Sequence, residues 1–332
     1  MLSLTTFISL FLGSCIGTGI FRRYALRYQL LDIPNARSSH TKPMPRGGGI
    51  VFVMCFEIAL LAILEQHQIA TPWFIVMVTA SIVIALIGLI DDYIGLSALL
   101  RLTIQILVAS MLVQSLSIMV FADFLHYPGV FFLKLLAALF LVWSINLFNF
   151  MDGIDGIASL QAISVCLGGA WLFFLEGDTP LLVFPLLLAT VIAGFLVWNF
   201  PRAKIFMGDV GSGFIGMFIA LFTLVAARDG LALFCGWLIL NAVFYLDATL
   251  TLLARLYYRK NLLQAHCTHA YQHAAQRYQK HWIVGAGVVG INCCWLLPFA
   301  IMVQQGWISS GLGLLCAYLP VAALVFWFKP GQ

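Results

Sequence analysis

Residues 130–156 read VFFLKLLAALFLVWSINLFNFMDGIDG, and the pattern of this stretch repeats along the chain. An apolar run of about twenty residues is long enough to cross a bilayer as a helix. Amides, carboxylates and glycines then replace the apolar side chains. The stretch therefore predicts a transmembrane helix that ends in a group of polar side chains at one membrane surface.

Similar apolar runs recur from end to end. The chain has 332 residues, of which 62% are hydrophobic and 9% charged, and its mean hydropathy is +1.02. These values exclude an ordinary soluble domain. We therefore predict an all-α polytopic membrane protein, with residues 1–332 forming a single integral membrane domain. About eleven transmembrane helices are expected, over residues 3–21, 48–64, 73–90, 99–120, 130–149, 157–175, 181–198, 211–227, 231–253, 282–304 and 307–328.

The basic residues lie mostly in alternate loops. The first of these loops alone carries six, which are Arg22, Arg23, Arg27, Arg37, Lys42 and Arg46. Because cytoplasmic loops carry an excess of Lys and Arg, the N-terminus is predicted outside and the basic loops inside the cell. The net charge of +4 is carried by these loops, so it indicates anionic head groups or substrates and does not imply nucleic acid.

Five aspartates lie where apolar segments end, all on the predicted cytoplasmic side: Asp91, Asp92, Asp152, Asp155 and Asp209. Carboxylates next to hydrocarbon are costly, and several at one face predict a site for a divalent metal and phosphate. Adjacent carboxylates such as Asp91 and Asp92 repel each other unless a cation or proton lies between them. One could bind Mg²⁺ while the other orients or deprotonates a nucleophile. Alternatively, both are helix-capping residues.

Polar residues recur every three positions at the end of the opening stretch, at Asn146, Asn149, Asp152 and Asp155. On a helix this spacing places side chains along one face, so we expect them to form a common wall. A second segment, 206–213, has glycines around Asp209 just before an apolar run, where free helix amides favour anions. Phe206 in this segment either stacks on a base or anchors the chain at the membrane surface.

Two further loops are rich in bases. Lys42 and Arg46 lie in the Pro- and Gly-rich segment 32–49, which can wrap an anionic ligand. His266 and His269, with His273, are spaced to share one helical face and are predicted to hold phosphate oxygens. The alternatives for the histidines are a zinc site with Cys267, although the spacing is not a recognised zinc spacing, and a solvated amphipathic loop helix.

Together these segments, from about Asp32 to His273, resemble the polyprenyl-phosphate N-acetylhexosamine-1-phosphate transferases of the WecA and MraY type. The resemblance implies an enzyme that uses Mg²⁺, or alternatively Mn²⁺, to transfer an N-acetylhexosamine 1-phosphate from a UDP-sugar to undecaprenyl phosphate, releasing UMP. The segment 265–272 is most similar to the WbpL-like branch, which initiates O-antigen and lipopolysaccharide synthesis. Ala270, Tyr271 and Gln272 stand where MraY-type chains carry histidines, which argues against a peptidoglycan substrate.

The resemblance also implies roles for individual residues. Asp91 and Asp92 match the catalytic pair, and Asp209 matches the principal metal ligand, with Asp92 expected beside it on the metal. The remaining matches are Asp152 and Asp155 in the Asp-Gly-Ile-Asp-Gly segment, the second near uracil, Phe206 as the base-stacking aromatic, Arg255 on the diphosphate, and the catalytic His269. Asn149, Lys42, Arg46 and His266 are added as substrate-binding candidates.

Two rival classes fit the composition, namely a transporter or channel for anionic phosphorylated solutes and a membrane phosphatase or pyrophosphatase. A transporter needs polar groups near the membrane midplane. Glu57 is the candidate there, with a hydrogen bond inside the bundle as the alternative. The one-sided placement of the chemistry favours the transferase, in a bacterial inner membrane with its active site facing the cytoplasm. The resemblance leaves the UDP-sugar open among UDP-GlcNAc, UDP-QuiNAc and UDP-FucNAc, and a homodimer is a common state among relatives.

Overall fold

The computed structural model describes residues 3–34, 42–67, 72–120, 129–261 and 266–331, which form a helical bundle and one short hairpin. Arg37 lies outside the described residues. The helices are α1 (Leu4–Arg27), α2 (Gly49–His67), α3 (Pro72–Ile94), α4 (Ala98–Val120), α5 (Val130–Met151), α6 (Ile157–Glu176), α7 (Thr179–Asn199), α8 (Asp209–Ala226), α9 (Leu231–Leu240), α10 (Ala242–Tyr257), α11 (Ala270–Tyr278), α12 (His281–Ile291), α13 (Leu297–Gln304) and α14 (Ser310–Trp327). A π-helical turn over Asn292–Leu296 joins α12 to α13. The strands β1 (Leu31–Asp32) and β2 (Met44–Pro45) pair antiparallel.

The predicted fold class is confirmed. Within the described ranges, nine helical segments are long and apolar enough to cross a membrane, with α12, the π-helical turn and α13 counted as one span. A tenth predicted span is the pair α9 and α10, and the remaining one corresponds to the shorter apolar helix over Gly49–Leu64. The protein is thus an all-α multi-pass membrane protein.

One predicted span is broken. Residues 231–253 were expected to form one helix, but α9 and α10 meet at Asn241 with a bend of 70°. The Nδ2 of Asn241 donates to the carbonyl of Trp237 at 2.9 Å. A side-chain amide that bonds the backbone of the preceding turn competes with the helical ladder and bends it. The average hydropathy of the segment does not register this single residue.

Helix α8 lies at the centre of the bundle. In its span 94% of the residues are buried, against 17% in the most apolar window of α1. The hydroxyl of Ser144 in α5 donates to the carbonyl of Gly216 in α8 at 2.8 Å, so α5 packs directly against α8. Because α8 has 18 residues, its two ends lie about 27 Å apart. The ends therefore mark the two opposite faces of the bundle. The N-terminal end of α8, at Asp209, marks the face that carries the predicted site.

Glu57 is bonded within the bundle. Its Oε1 accepts a hydrogen bond from the Ser81 hydroxyl of α3 at 2.5 Å, and only 8% of the residue is exposed. This is the alternative to a transport role that the sequence left open. The contact links α2 to α3 inside the apolar bundle.

Candidate active site

The ends of α3 and α8 meet at Asp92. The carboxylate of Asp92 accepts from the backbone N–H of Asp209 at 2.9 Å and of Val210 at 3.3 Å. These amides lie in the first turn of α8, where they have no partner within the helix. Gly88, one turn earlier in α3, permits the contact because a Cβ there would lie 2.5 Å from the carbonyl carbon of Asp209. Asp92, whose side chain is fully buried, therefore caps α8 from another helix.

Two arginines bridge the carboxylates. The guanidinium of Arg46 lies 2.7 Å from an oxygen of Asp92 and 2.6 Å from one of Asp209. Arg101 pairs with Asp91 and lies 3.3 Å from the other oxygen of Asp209. Burial lowers the pKa of Arg46, but Asp209 and Asp92 more than offset this and raise it above its ordinary value. The carboxylates of Asp91, Asp92 and Asp209 thus converge, as expected from the sequence, and two arginines lie between them.

The four polar residues Asn146, Asn149, Asp152 and Asp155, here called the polar row, are only partly helical. The prediction that one helix carries all four side chains is wrong, because α5 ends at Met151. Asn146 donates to Gln105 at 2.6 Å and Asn149 to Ser212 at 3.4 Å, so the two amides contact α4 and α8. The Asp-Gly-Ile-Asp-Gly segment follows as a turn. Two Asp-Gly pairs within five residues favour a turn over a continued helix, since both residue types are poor helix formers.

Asp152 lies at the C-terminal end of α5, beside the converging carboxylates. Burial raises the pKa of its carboxyl well above the ordinary value, and the charges of Asp209, Asp92 and Asp155 raise it further while Arg46 opposes them. A carboxyl in such surroundings favours a nearby cation. Asp155 points elsewhere, because an oxygen of its carboxylate lies 3.1 Å from Nδ1 of His281 at the start of α12.

The histidine loop is fixed by a residue to which the sequence assigned no role, Asp247 of α10. Its carboxylate accepts from the N–H groups of Ala270 at 3.0 Å and Tyr271 at 2.8 Å, and one oxygen lies 3.3 Å from Nδ1 of His269. Only 3% of Asp247 is exposed. Asp247 therefore caps α11 in the way that Asp92 caps α8. Its lone carboxylate in an apolar segment was the available signal, because such a group is costly unless it is paired.

Tyr271 joins this loop to the turn after α5. Its hydroxyl donates to the carbonyl of Phe150 at 3.0 Å. A Cβ on Gly153 would lie 2.2 Å from the same hydroxyl oxygen, so the close approach requires glycine. His269 is 2% exposed, and its ring stacks on those of Phe150 and His266 at centroid distances of 6.5 and 4.9 Å. The predicted histidine site is thus packed against the predicted aspartate site.

His266 and His269 do not share a helical face as predicted, since both precede the first residue of α11. Burial lowers the pKa of His266 to about 4, helped by His269, Arg255 and Lys260, so its imidazole is neutral at pH 7. Arg255, at the end of α10, is 5% exposed and donates to the carbonyl of Asn261 at 2.6 Å. Arg255 thus lies in the last turn of α10, and its guanidinium holds the chain that follows this helix.

A cleft of about 410 Å³ opens beside the carboxylates. Its lining combines basic, aromatic and acidic side chains, among them Lys42, Asp155, Arg202, Phe206, Lys280, His281 and Trp282. Lys42, Asp155 and Phe206 are predicted site residues that the structure brings together. The connection between α11 and α12 forms a second wall of the cleft, and no site residue was predicted there from the sequence. This part of the sequence carries no recognisable motif.

Two segments tie the cleft to the carboxylates. The N–H of Phe206 donates to the carbonyl of Pro45 at 2.8 Å, and that of Gly48 to the carbonyl of Phe206 at 2.9 Å. One segment therefore runs from Met44 in the cleft to Arg46 on the carboxylates, and the other from Phe206 to Asp209. The cleft is therefore connected through two short chain segments to the converging aspartates.

The donor set suits a hard divalent cation. Asp91 and Asp209 offer carboxylate oxygens, and the two guanidinium groups on Asp209 show that this position accommodates positive charge. Among the described residues, no three acidic, histidine or cysteine side chains are arranged to hold a metal ion by themselves. Mg²⁺ usually binds one or two carboxylates together with water and substrate phosphates, so the residues present fit it. The metal roles of Asp209 and Asp92 stay predictions.

Comparison with known proteins gives one family. The model described as glycosyl transferase family 4 matches residues 74–227, which include the aspartates, Asn149 and Phe206. The chain is 34% identical over 270 residues to a decaprenyl-phosphate N-acetylglucosaminephosphotransferase of Mycolicibacterium smegmatis, covering 71% of this chain and 66% of the relative. The chain thus spans just under two thirds of the length of that relative.

The chain covers a larger share of two other relatives. An undecaprenyl-phosphate alpha-N-acetylglucosaminyl 1-phosphate transferase of Thermotoga maritima is 30% identical over 233 residues, which is 68% of each chain. A phospho-N-acetylmuramoyl-pentapeptide-transferase of Wolbachia pipientis is 30% identical over 244 residues, covering 68% of this chain and 72% of the relative. From these matches and the site described above, the chain belongs to glycosyl transferase family 4, the WecA and MraY type of transferase.

Proposed function

We propose that the protein transfers an N-acetylhexosamine 1-phosphate from a UDP-sugar to undecaprenyl phosphate, releasing UMP. The names of its relatives support the reaction class. The observation that carries the proposal is the convergence of Asp91, Asp92 and Asp209, from two different helices, beside a cleft with cationic and aromatic walls. This arrangement suits a nucleoside diphosphate next to a bound cation.

The cleft is proposed to take the UMP part of the donor. Phe206 and Trp282 offer ring faces for a base, and Lys42, Arg202 and Lys280 offer charges for phosphate oxygens. The sugar-bearing phosphate would then lie toward Asp209, along the segment that follows Phe206. The lipid phosphate approaches from the membrane, because its polyprenyl tail stays among the apolar helices.

Charge is the main obstacle to the reaction. Two unit negative charges about 4 Å apart repel by roughly 4 kcal/mol at an effective dielectric constant of about 20. When bound, Mg²⁺ would neutralise this repulsion and the charge that develops on UMP, held by Asp209 with Asp91 or Asp92. Arg46 and Arg101, which already contact Asp209, supply further positive charge at the same position.

We favour direct transfer. An oxygen of the lipid phosphate forms a bond to the sugar-bearing phosphorus, and the bond from that phosphorus to the oxygen of UMP breaks, with its electron pair leaving on UMP. The second pKa of a monoalkyl phosphate is about 6, so the nucleophile is largely dianionic at neutral pH. Asp91 lies at the edge of the cluster, where it can accept any remaining proton. A phosphoaspartyl species trapped from the enzyme would contradict direct transfer.

The finer assignments follow the sequence. We propose UDP-GlcNAc or a 6-deoxy relative such as UDP-QuiNAc or UDP-FucNAc as donor, and a WbpL-like role in O-antigen or other surface polysaccharide synthesis. The basic loops flank the face that carries the aspartates, which supports an active site on the cytoplasmic side of the bacterial inner membrane.

Purified protein in lipid nanodiscs with UDP-GlcNAc, undecaprenyl phosphate and Mg²⁺ tests the proposal, with the deoxy donors run in parallel. The expected result is UMP and lipid-linked sugar in equal amounts, and neither product without lipid acceptor. Inorganic phosphate or free sugar phosphate would instead identify a phosphatase or pyrophosphatase. Uptake of the UDP-sugar without turnover would identify a transporter.

A further inference from the structure

His273, the third histidine of the predicted row, contacts the segment after α14. It lies in α11 and is half-buried. Its Nδ1 lies 2.7 Å from the carbonyl oxygen of Phe328, the residue that follows α14. A carbonyl oxygen only accepts, so Nδ1 carries a proton and donates it to Phe328. This nitrogen is thus bonded to the backbone and not left for a phosphate.

Residues 328–331 lead from the end of α14 to the histidine loop between α10 and α11, and we call them the strap. The N–H of Gly331 donates to the carbonyl of Thr268 at 2.8 Å, and the carbonyl of Gly331 accepts from Nζ of Lys260 at 2.9 Å. Lys260 lies just after α10, and Thr268 lies just before His269 and α11. One residue of the strap therefore holds both ends of the histidine loop.

The contacts of the strap require glycine at position 331. The φ of Gly331 is +76°, in the left-handed region that other residues rarely adopt. A Cβ there would lie 2.8 Å from the Cβ of Ala254 and 3.1 Å from the backbone nitrogen of Arg255, near the end of α10. Gly331 is buried. The strap thus packs closely on the part of α10 from which the histidine loop departs.

The strap holds the histidine loop by hydrogen bonds, which depend on direction as well as distance and so fix a position more narrowly than apolar packing does. The same loop is joined to the turn after α5, because the Tyr271 hydroxyl donates to the carbonyl of Phe150. The ring of His269 stacks on that of Phe150. A displacement of the strap would therefore be passed through Thr268 to His269, beside the aspartate site.

We propose that the strap positions the histidine loop for transfer, with His273 as its anchor on α11, so that His269 is held against the aspartate site. The kinetic part of this inference rests on the proposed function. His273 and Gly331 are positioning residues, since they act through the loop and do not touch the substrate. Loosening the strap should slow the transfer step and leave nucleotide binding nearly unchanged, because Asp155 and Phe206 line the cleft from other segments.

Two matched pairs of variants separate the strap contacts from general effects on the fold. Gly331→Ala adds one methyl group that collides with α10. Its control is Gly306→Ala, because Gly306 has a similar φ of +70°, whereas a Cβ there would meet no atom of the described residues within 4 Å beyond its chain neighbours. Both variants carry the cost of a left-handed alanine, but only Gly331→Ala displaces the strap.

The second pair tests the anchor on α11. His273→Leu keeps an apolar side chain of moderate size but has no donor for the carbonyl of Phe328. In His273→Asn the side-chain amide can occupy roughly the position of Nδ1 and donate in its place. Recovery by asparagine would therefore report the hydrogen bond and not the bulk of the side chain.

Two measurements on the full chain in nanodiscs report the loop and the reaction separately. The half-buried Cys267 lies next to Thr268, so the rate at which a maleimide labels it, followed by mass spectrometry of its peptide, reports how firmly the loop is held. We expect Gly331→Ala and His273→Leu to raise this rate roughly tenfold, as for loss of one or two hydrogen bonds. The rate should stay within about twofold of wild type in Gly306→Ala and His273→Asn.

Steady-state kinetics and calorimetry with UMP complete the test. In Gly331→Ala and His273→Leu, kcat should fall roughly tenfold, because a small displacement of a group beside the reacting phosphates is enough to slow transfer. KM for the UDP-sugar and the affinity for UMP should stay within about twofold of wild type. Gly306→Ala and His273→Asn should match the wild type in all three quantities.

Faster labelling of Cys267 with unchanged kcat would overturn the positioning role, and equal labelling of wild type and Gly331→Ala would overturn the strap itself. A loss of UMP affinity as large as the fall in kcat, or equal effects of Gly306→Ala and Gly331→Ala, would also overturn the inference, since either result indicates a general disturbance. If the wild type turns over and the strap variants behave like it, only this inference fails. A wild type that forms no lipid-linked product refutes the proposed function, while the labelling rates still decide whether the strap holds the loop.

Discussion

Arginines bridge aspartates at both ends of α8, but the two groups are built differently. At the C-terminal end, Arg228 pairs with its chain neighbour Asp229 at 2.7 Å and with Asp178 at the start of α7. At the N-terminal end, Asp209 meets Asp91 and Asp92 of α3, and the bridging arginines come from two further segments. We call these the local group and the long-range group.

The exposure of the bridging arginines does not distinguish the two groups. The arginines are 31% to 33% exposed in both, and Asp209 at 16% resembles Asp178 at 15%. What differs is that three carboxylates from two helices are brought together, one of them fully buried, next to a cleft. Bringing like charges together opposes folding, so such a cluster indicates a ligand that needs it. The number of ion pairs alone, four in the long-range group and two in the local group, does not reveal this difference.

The largest expected effect follows from removing one charge of the long-range group. Asp209→Asn keeps the side-chain volume but removes a carboxylate that contacts both arginines, so transferase activity should fall roughly 1000-fold. Assays of UMP release in nanodiscs measure it. Asp178→Asn in the local group is the control and should keep wild-type activity. Similar activities for the two variants would erase the distinction drawn between the groups.

Arg46 is expected to be second in importance. Arg46→Gln leaves Asp92 and Asp209 facing each other without the bridging guanidinium, and activity should fall roughly 100-fold. Arg46→Lys should recover only part of it, because an ammonium cannot bond two carboxylates in a fork. The same kinetic assay applies, with thermal unfolding as a check on folding. A lysine variant as active as wild type would show that charge alone suffices.

Asp247 extends the comparison to a carboxylate that, within the described ranges, contacts a histidine and backbone amides and no arginine. Asp247→Ala leaves the amides of Ala270 and Tyr271 without their acceptor, so α11 should detach from α10. We expect a loss of about 3 kcal/mol in stability and roughly tenfold in kcat/KM. Unfolding of purified protein and proteolysis of the histidine loop report these changes. Asp229→Ala is the matched control, and equal protease resistance of the two would argue against a fastening role.

Mild acid should lower the stability of the folded protein through His266. Its pKa is lowered to about 4 by burial and neighbouring positive groups, while an unfolded histidine titrates near ~6.5. Between these values the unfolded chain binds more protons, so stability rises with pH. The contribution is complete above pH ~6.5 and is lost as the pH falls toward about 4. Melting temperatures from pH 7.5 to 4.5 should therefore fall more steeply for wild type than for His266→Gln, and parallel curves would contradict this.

The smallest effect belongs to the local group. Arg228→Ala removes the arginine that bridges this group, yet exposed ion pairs contribute about 0 to 1 kcal/mol. Activity should stay within about twofold of wild type, and the melting temperature should change by only a few degrees. A large loss of activity on this substitution would mean that the two ends of α8 are functionally coupled.

Hydropathy predicted the fold well because a membrane span depends on the average of about twenty residues, not on any single contact. The bend at Asn241 and the end of α5 at Met151 escaped it, since each depends on one or two residues that bond the backbone locally. The aspartates were also found from sequence, because carboxylates at the ends of apolar runs are conspicuous. Their convergence was an expectation that only the packing of α3 on α8 confirms.

The supporting residues were harder to predict. Asp247, Arg101 and His281 have no motif around them, and their importance comes from partners 10 to 126 positions away. Spacing also misled, since His266 and His269 precede α11 instead of sharing one of its faces. Periodicity describes a residue's direction only within one continuous helix, and both the polar row and the histidine row cross a helix boundary.

Binding of Mn²⁺ tests the central claim most directly, because the carboxylates of α3 and α8 are held to form one cation site beside the cleft. Electron paramagnetic resonance of the protein in nanodiscs with UDP-sugar counts the bound ions and compares wild type, Asp209→Asn and Asp178→Asn. The account predicts one tightly bound ion in wild type and Asp178→Asn and a loss of that ion in Asp209→Asn. Equal binding by all three proteins would contradict it.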